Sequence, residues 1–165
     1  TDITFVPTLM GFAYKVAIID IFSRKILSYR LSNSMHQSFC IDALEEALEN
    51  FPKPEIFNSD QGSQFTGKKF VNILLENNIE VSMDGKGRAL DNIFIERYWR
   101  SYKYENVFLK NYANLLEARL ETAKYVKFYN SKRFHASLGY KTPDKIYFDN
   151  LHKSVNYNGA QQMVA

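Results

Sequence analysis

Three carboxylates stand in contexts typical of metal-binding acids. Asp2 opens a predicted first strand, Asp60 ends a short apolar run before a polar loop, and Glu96 lies near the start of a predicted helix. Mg²⁺ prefers oxygen ligands and leaves room for water and phosphate, and two such ions together serve phosphoryl transfer. If the three acids converge in the fold, they predict a two-metal site for phosphoryl-transfer chemistry.

The predicted helix around Glu96 carries further polar side chains. At about 100° per residue, one face presents an amide, an acid and two cations, with Trp99 beside them: Asn92, Glu96, Arg100 and Lys103. The other face presents three aromatics that would anchor the helix to the core: Phe94, Tyr98 and Tyr102. A phosphate held at Glu96 would extend its flanking backbone along Arg100 and Lys103. The alternative is an ordinary Glu96–Arg100 pair on a solvated helix, worth a few tenths of a kcal/mol.

The loop before this helix combines two glycines with two cations, Lys86 and Arg88. Glycine backbone freedom would let both cations adapt to a substrate strand. A plain surface turn fits the same residues equally well. Asp91, at the end of this segment, is placed to cap the helix.

The order of the elements must bring the acids together. The predicted strands follow Asp2 and cover 16–20, 25–31, 56–59 and 79–83, and the predicted helices cover 38–50, 68–77, 91–108 and 114–131. An antiparallel meander followed by alternating helices and strands predicts an α/β fold with a partly parallel sheet. Asp2 on the central strand and Asp60 at the carboxyl end of its neighbour then share the side where such sheets bind ligands. Glu96 would approach from the helix packed over that edge.

The composition favours one globular domain over residues 1–150 and a poorly ordered tail over 151–165. Hydrophobic residues make up 45% of the 165, and no apolar run approaches the ~18 residues of a membrane span. Cys40 is the only cysteine, so no internal disulfide is possible, and a buried thiol in a reducing cytoplasm is expected. The three histidines are too scattered for a structural zinc site.

The net charge of +3 conceals an asymmetry along the chain. Residues 1–95 hold nine Lys/Arg against twelve Asp/Glu, whereas residues 96–145 hold eleven against five. A basic second half suits a polyanionic partner, because Lys and Arg neutralise phosphates and release counterions. Charge alone favours the simpler interpretation, a solvated helical surface.

Several motifs together resemble a known family over almost the whole chain, from about Asp2 to Phe148. The matching segments are Asp2-Ile3-Thr4, Asp20 to Arg24, Asn58 to Phe65, Ser82 to Gly87, Asp91-Asn92 with Glu96, and Tyr129-Asn130 through Arg133, His135, Leu138-Gly139 and Thr142-Pro143. In this order they resemble the catalytic core of bacterial insertion-sequence transposases, in the branch related to retroviral integrases. The resemblance implies an RNase H-like fold, with a five-stranded mixed sheet flanked by helices.

The resemblance also implies a reaction. Asp2, Asp60 and Glu96 would be an Asp-Asp-Glu triad that binds two Mg²⁺ or Mn²⁺ ions for end cleavage and strand transfer of DNA. The partners would be double-stranded DNA, as element ends and target, and further copies of the chain in a homodimer or larger assembly, with no membrane. The location would be the bacterial cytoplasm, at the nucleoid. Two alternatives stay open: a non-catalytic DNA-binding or assembly remnant, and an RNase H-like nuclease that cuts without joining.

Some residues receive roles by the same resemblance. Asn92, Arg100 and Lys103 fall where integrase-like cores touch DNA near the scissile phosphate. Arg133 and His135 match a segment typical of these transposases, and they either contact DNA, support the active site or pack the last helix. Asp20 matches the family pattern too, but its place in a turn with Ser23 and Arg24 favours a structural role.

Overall fold

The computed structural model of the chain describes residues 1–83 and 92–162, with side chains as far as residue 152. Its first three strands form the predicted antiparallel meander: β1 (Asp2–Thr8), β2 (Gly11–Ile19) and β3 (Ile26–Ser32). The turn between β2 and β3 is closed by Asp20, whose Oδ2 accepts from Ser23 N (2.7 Å) and Ser23 Oγ (2.5 Å). The structural role predicted for Asp20 is therefore confirmed.

The other two strands, β4 (Ile56–Ser59) and β5 (Glu80–Met83), form a parallel pair. The five predicted strands are all present, but their ladders make a three-stranded and a two-stranded sheet instead of one continuous sheet. The backbone nitrogen of Thr1 donates to Asn58 O (2.8 Å), which brings the start of β1 beside β4. Strand β4 is only four residues long, so this single hydrogen bond does not extend into a β-ladder between β1 and β4.

The four predicted helical regions are present in the predicted order, and the structure adds three helices that were not predicted: Ser63–Thr66, Phe108–Lys110 and Pro143–Gln162. In chain order the helices are α1 (Ser38–Asn50), α2 (Ser63–Thr66), α3 (Lys68–Glu76), α4 (Ile93–Tyr102), α5 (Phe108–Lys110), α6 (Leu115–Ser131) and α7 (Pro143–Gln162), with a 3₁₀ turn at Ala136–Leu138. A π-helical turn, Lys103–Val107, interrupts the single helix predicted over 91–108. The N-cap position of α4 is Asn92 and not the predicted Asp91, which lies outside the described residues.

Helices cover both faces of the meander, as the alternation of side chains along β2 requires. Ala13 and Ala17 face a core shared with α4 and α6, whereas Val16 and Ile18 face a core shared with α1 and α3. Lys15 lies on the α4 side and is fully buried. The predicted anchoring face of α4 is confirmed for its two buried tyrosines, Tyr98 and Tyr102, while the ring of Phe94 lies 3.4 Å from the Arg24 guanidinium carbon.

Helix α7 continues across residue 150, so the proposed division into a domain and a tail at that point stays a prediction. Cys40 is buried, as expected. Within the described part of the chain, no helix combines the length and the apolar character needed to span a bilayer.

Candidate active site

The Asp2 carboxylate, at the start of β1, is held at both oxygens. Its Oδ1 accepts from the backbone N–H of Ile3 (2.7 Å), and its Oδ2 accepts from the indole Nε1 of Trp99 (2.8 Å). Burial raises the pKa of Asp2, the bonds from Trp99 and Ile3 oppose that rise, and the negative charge of Asp60 adds to it. Asp2 is therefore an oriented, half-buried carboxylate with a second acid close by.

Asp60 follows β4 directly and folds back on the loop that it begins. Its Oδ1 accepts from the backbone N–H of Gly62 (2.9 Å). A Cβ on Gly62 would lie only 2.9 Å from that same oxygen, so a larger residue at position 62 would have to displace the Asp60 carboxylate. Burial, with a contribution from the charge of Asp60, raises the pKa of Cys40 to about 12. Because the charge of Asp60 also acts on Asp2, the two acids lie near each other, where β1 begins and β4 ends.

Glu96 is exposed on the first turn of α4. It lies three residues before Trp99, and residues at that spacing share one face of a helix. Because Trp99 contacts Asp2, α4 carries Glu96 toward the edge of the sheet that holds the aspartates. Yet no three acids, histidines or cysteines of the described residues form a metal-binding group. The charge of Asp60 acts on Asp2, so these two acids lie near each other, and the convergence of Glu96 with them stays a prediction.

No ion pair to a basic side chain is formed by the three acids within the part of the chain that the structure describes. None of the ion pairs found among the described residues includes Asp2, Asp60 or Glu96. The Glu96–Arg100 pair, the simpler alternative for this helix face, is therefore not formed. Each ionised carboxylate has about four lone-pair positions, so the hydrogen bonds at Asp2 and Asp60 leave oxygen positions for a hard cation. The donor set fits Mg²⁺ or Mn²⁺.

The predicted DNA-contact residues fall into two groups. Asn92, Arg100 and Lys103 lie along α4 and its junction with the π-helical turn, and Arg100 is exposed. Lys86 and Arg88 lie outside the described residues. The contacts predicted for these five positions stay predictions.

Arg133 and His135 both have partners inside the protein. Arg133 donates to the Glu105 carboxylate from Nε (2.9 Å) and from Nη2 (2.6 Å). The His135 ring stands edge-on to Tyr129, with 4.9 Å between the centroids. Burial, aided by the charge of Arg133, lowers the pKa of His135 to about 4, which leaves the imidazole neutral near pH 7. These contacts support the packing role for the segment, while DNA contact by either residue stays a prediction.

Two residues of this region were missed by the sequence analysis. Trp99 was placed beside the polar face of the helix, but its partner Asp2 is 97 positions away in the sequence. Lys15 lies just before the strand predicted over 16–20, and in the structure its Nζ donates to Tyr98 Oη and lies 3.6 Å from the Tyr102 ring centroid. The sequence signal for a buried lysine was a single charged residue within an otherwise apolar stretch.

Sequence comparison matches residues 1–89 to an integrase core domain family (rve), and residues 77–143 to a second model with the same description. The chain is 34% identical over 145 residues to the transposase for insertion sequence element IS904 of Lactococcus lactis, covering 86% of the chain and 57% of that relative. It is 34% identical over 154 residues to the transposase for IS629 of Shigella sonnei, covering 91% and 52%. The chain thus spans about half the length of the curated relatives it matches.

Solved structures give the same fold. The catalytic core domain of BIV integrase superposes with a TM-score of 0.72 at 15% identity, covering 93% of this chain and 96% of that one. The HTLV-2 integrase catalytic core domain, described in complex with magnesium, superposes with a TM-score of 0.70 at 20% identity, covering 88% and 91%. The predicted fold class, an α/β integrase-type core with antiparallel and parallel strands between helices, is confirmed.

Proposed function

The chain belongs to the integrase core domain family, and from that membership we propose that it carries out metal-dependent phosphoryl transfer on DNA, in the end cleavage and strand transfer of transposition. The observation that carries the proposal is the adjacent Asp2–Asp60 pair, which no basic side chain of the described residues neutralises. Helix α4 brings a third acid, Glu96, toward the same edge. The transposases for the insertion sequence elements IS904 and IS629 are relatives at 34% identity, and they support DNA as the substrate.

We infer that Asp2, Asp60 and Glu96 would hold two divalent ions, Mg²⁺ or Mn²⁺. When bound, such ions activate a water or a 3′-hydroxyl and stabilise the charge on the leaving oxygen. The chain's own residues fix where this happens: Ile3 and Trp99 orient Asp2, and Gly62 orients Asp60. Glu96 would complete the set from the first turn of α4, the helix that Trp99 joins to Asp2.

Arg100 and Lys103 would bind the DNA backbone that flanks the reacting phosphate, with Asn92 at the N-terminus of the same helix. Their contacts are to phosphate, which carries no sequence information, so they position the DNA without selecting a sequence. The segment that holds Lys86 and Arg88 leads into this helix and would add to the same basic surface.

We further propose that the chain works as a homodimer or a larger assembly on double-stranded DNA, because joining requires two DNA ends and a target. The HTLV-2 core is described in dimeric and in trimeric forms, which supports self-association of this fold. The DNA of the bacterial nucleoid is the proposed place of action.

The test is product analysis with a labelled, precut DNA end in Mn²⁺. The wild-type chain should join the end to a second DNA, and Asp60→Asn should abolish both joining and cleavage. A matched control is Glu49→Gln, which removes an exposed acid of α1 and should leave joining unchanged. Cleavage without joining would favour a nuclease instead, and metal-independent DNA binding without any product would favour a non-catalytic module.

A further inference from the structure

Trp99 links the strand that carries Asp2 to the helix that carries Glu96. Its indole Nε1 donates to Asp2 Oδ2 at 2.8 Å, while its backbone lies one helical turn after Glu96 on α4. Because Trp99 contacts Asp2 and shares a face of α4 with Glu96, its position affects the distance between the two acids. The hydrogen bond therefore contributes to the geometry of the site as well as to the fold.

The indole is held rigidly in this position. Trp99 is only 6% exposed, and its ring packs against Tyr98 and Tyr102 with centroid distances of 5.0 Å and 6.4 Å. The Nζ of Lys15 lies 5.5 Å from the same ring and is itself fixed by the Tyr98 hydroxyl. Because close-packed neighbours surround the ring, it cannot rotate away, and the N–H stays directed at Asp2.

We propose that Trp99 is a positioning residue: its indole N–H holds the Asp2 carboxylate in the orientation that binds a divalent ion. The inference rests on the proposed function, since it assigns Asp2 as a metal ligand. Groups that hydrogen-bond to a metal ligand fix its orientation, and their removal typically weakens metal binding by about 10–100-fold. The ring packing of Trp99 is separable from this effect, because only the N–H reaches Asp2.

The sequence offers a direct readout, because Trp99 is the only tryptophan of the chain. Its fluorescence reports on one indole, whose N–H is bonded to Asp2. Paramagnetic Mn²⁺ bound at Asp2 should therefore quench that fluorescence in a saturable way. Asp60→Asn, which removes the neighbouring acid, should shift or abolish the quenching.

The decisive variant replaces Trp99 by benzothienylalanine, in which sulfur takes the place of the N–H and the ring keeps its shape. Mn²⁺ affinity is measured from the free-ion signal in electron paramagnetic resonance, for this variant, for Trp99→Phe, for Asp60→Asn and for the wild type. The expected result is about a 10–100-fold weaker Mn²⁺ affinity in the benzothienyl variant, with an unchanged circular dichroism spectrum. Joining activity should recover toward the wild-type rate at saturating Mn²⁺.

The outcomes separate this inference from the proposed function. If the wild type binds Mn²⁺, Asp60→Asn does not, and the benzothienyl variant binds as tightly as the wild type, the positioning role is overturned while the metal site stands. If the wild type binds no Mn²⁺ and shows no quenching, both are overturned. Loss of affinity in Trp99→Phe alone would assign the effect to ring packing, and so would also overturn the positioning role.

Discussion

At the beginning of β3, the side chain of Asn130 on α6 makes hydrogen bonds of the kind that a neighbouring strand would make. Its Oδ1 accepts from the backbone N–H of Ile26 (2.9 Å), and its Nδ2 donates to the backbone carbonyl of the same residue (2.8 Å). The asparagine is only 8% exposed, and β3 is the outer strand of its sheet. One side chain thus satisfies both backbone groups of Ile26 and ties α6 to the sheet.

Replacing Asn130 with alanine should leave both backbone groups of Ile26 without a partner. A buried polar group that loses its partner costs about 1–3 kcal/mol. With two such groups and some access for water, we expect Asn130→Ala to lower the free energy of unfolding by about 3 kcal/mol. For a chain of this size that corresponds to a fall in Tm of roughly 6–12 °C.

The assay is urea unfolding followed by circular dichroism, with the m-value checked for each variant. Lys127→Ala is the matched control, because Lys127 lies on the same helix and is exposed; its effect should stay within about 0.5 kcal/mol. Asn130→Asp keeps an acceptor for the N–H but turns an oxygen toward the Ile26 carbonyl, and should also destabilise the chain. A loss below about 1 kcal/mol for Asn130→Ala, with an unchanged m-value, would refute the reasoning.

Three further predictions follow from the described contacts. Burial lowers the pKa of Lys15 well below its usual range, so the unfolded chain binds more protons than the folded chain. The free energy of unfolding of the wild type should therefore rise with pH relative to that of Lys15→Met, by at most about 1.4 kcal/mol per pH unit up to pH ~10.4. Urea unfolding between pH 6 and 10 measures this difference, and parallel pH curves for the two proteins would contradict it. Burial acts to raise the pKa of Glu105, but the hydrogen bonds from Arg133 and Tyr125 outweigh it and lower the pKa. The stability contributed by the Glu105 carboxylate should therefore be present above pH ~4.3 and be lost as pH falls through the folded-state pKa. In thermal melts, Glu105→Gln should remove this loss of stability at acidic pH. Gly62→Ala should displace the Asp60 carboxylate, because the new Cβ would lie 2.9 Å from its oxygen, and it should reduce Mn²⁺-dependent joining while changing Tm little; unchanged joining would show that the loop can shift.

Much of the fold was predictable because local signals agreed with the tertiary structure. Helix α1 has the predicted bounds, since apolar residues recur at helical spacing until Pro52. The predicted helix over 114–131 begins at an Asn114 cap, whose Oδ1 accepts from Glu117 N (3.0 Å). The π-helical turn could not be predicted, because the periodicity continues through it. Within it, the buried Asn106 donates from Nδ2 to Tyr112 Oη, a side-chain bond that helical periodicity does not indicate.

Around the candidate site, only the loop after Asp60 was predicted from a local signal, an apolar run that ends at an acid and passes into polar residues. The contact of Asp60 with Gly62 within that loop was not predicted. The bond from Trp99 to Asp2 joins residues 97 positions apart, so no local pattern could indicate it. The convergence of Glu96 with the two aspartates stays a prediction, because it depends on packing between α4 and two strands that are distant in the sequence.

That convergence is the central claim, and joining kinetics test it most directly. Joining of a precut DNA end in Mn²⁺ is compared for the wild type, Asp60→Asn, Glu96→Gln and the double variant. Residues that act as one unit lose activity non-additively, so each single change should abolish most of the joining and the double variant should be no slower than the slower single variant. Near-wild-type joining by Glu96→Gln, or losses that multiply in the double variant, would contradict the account.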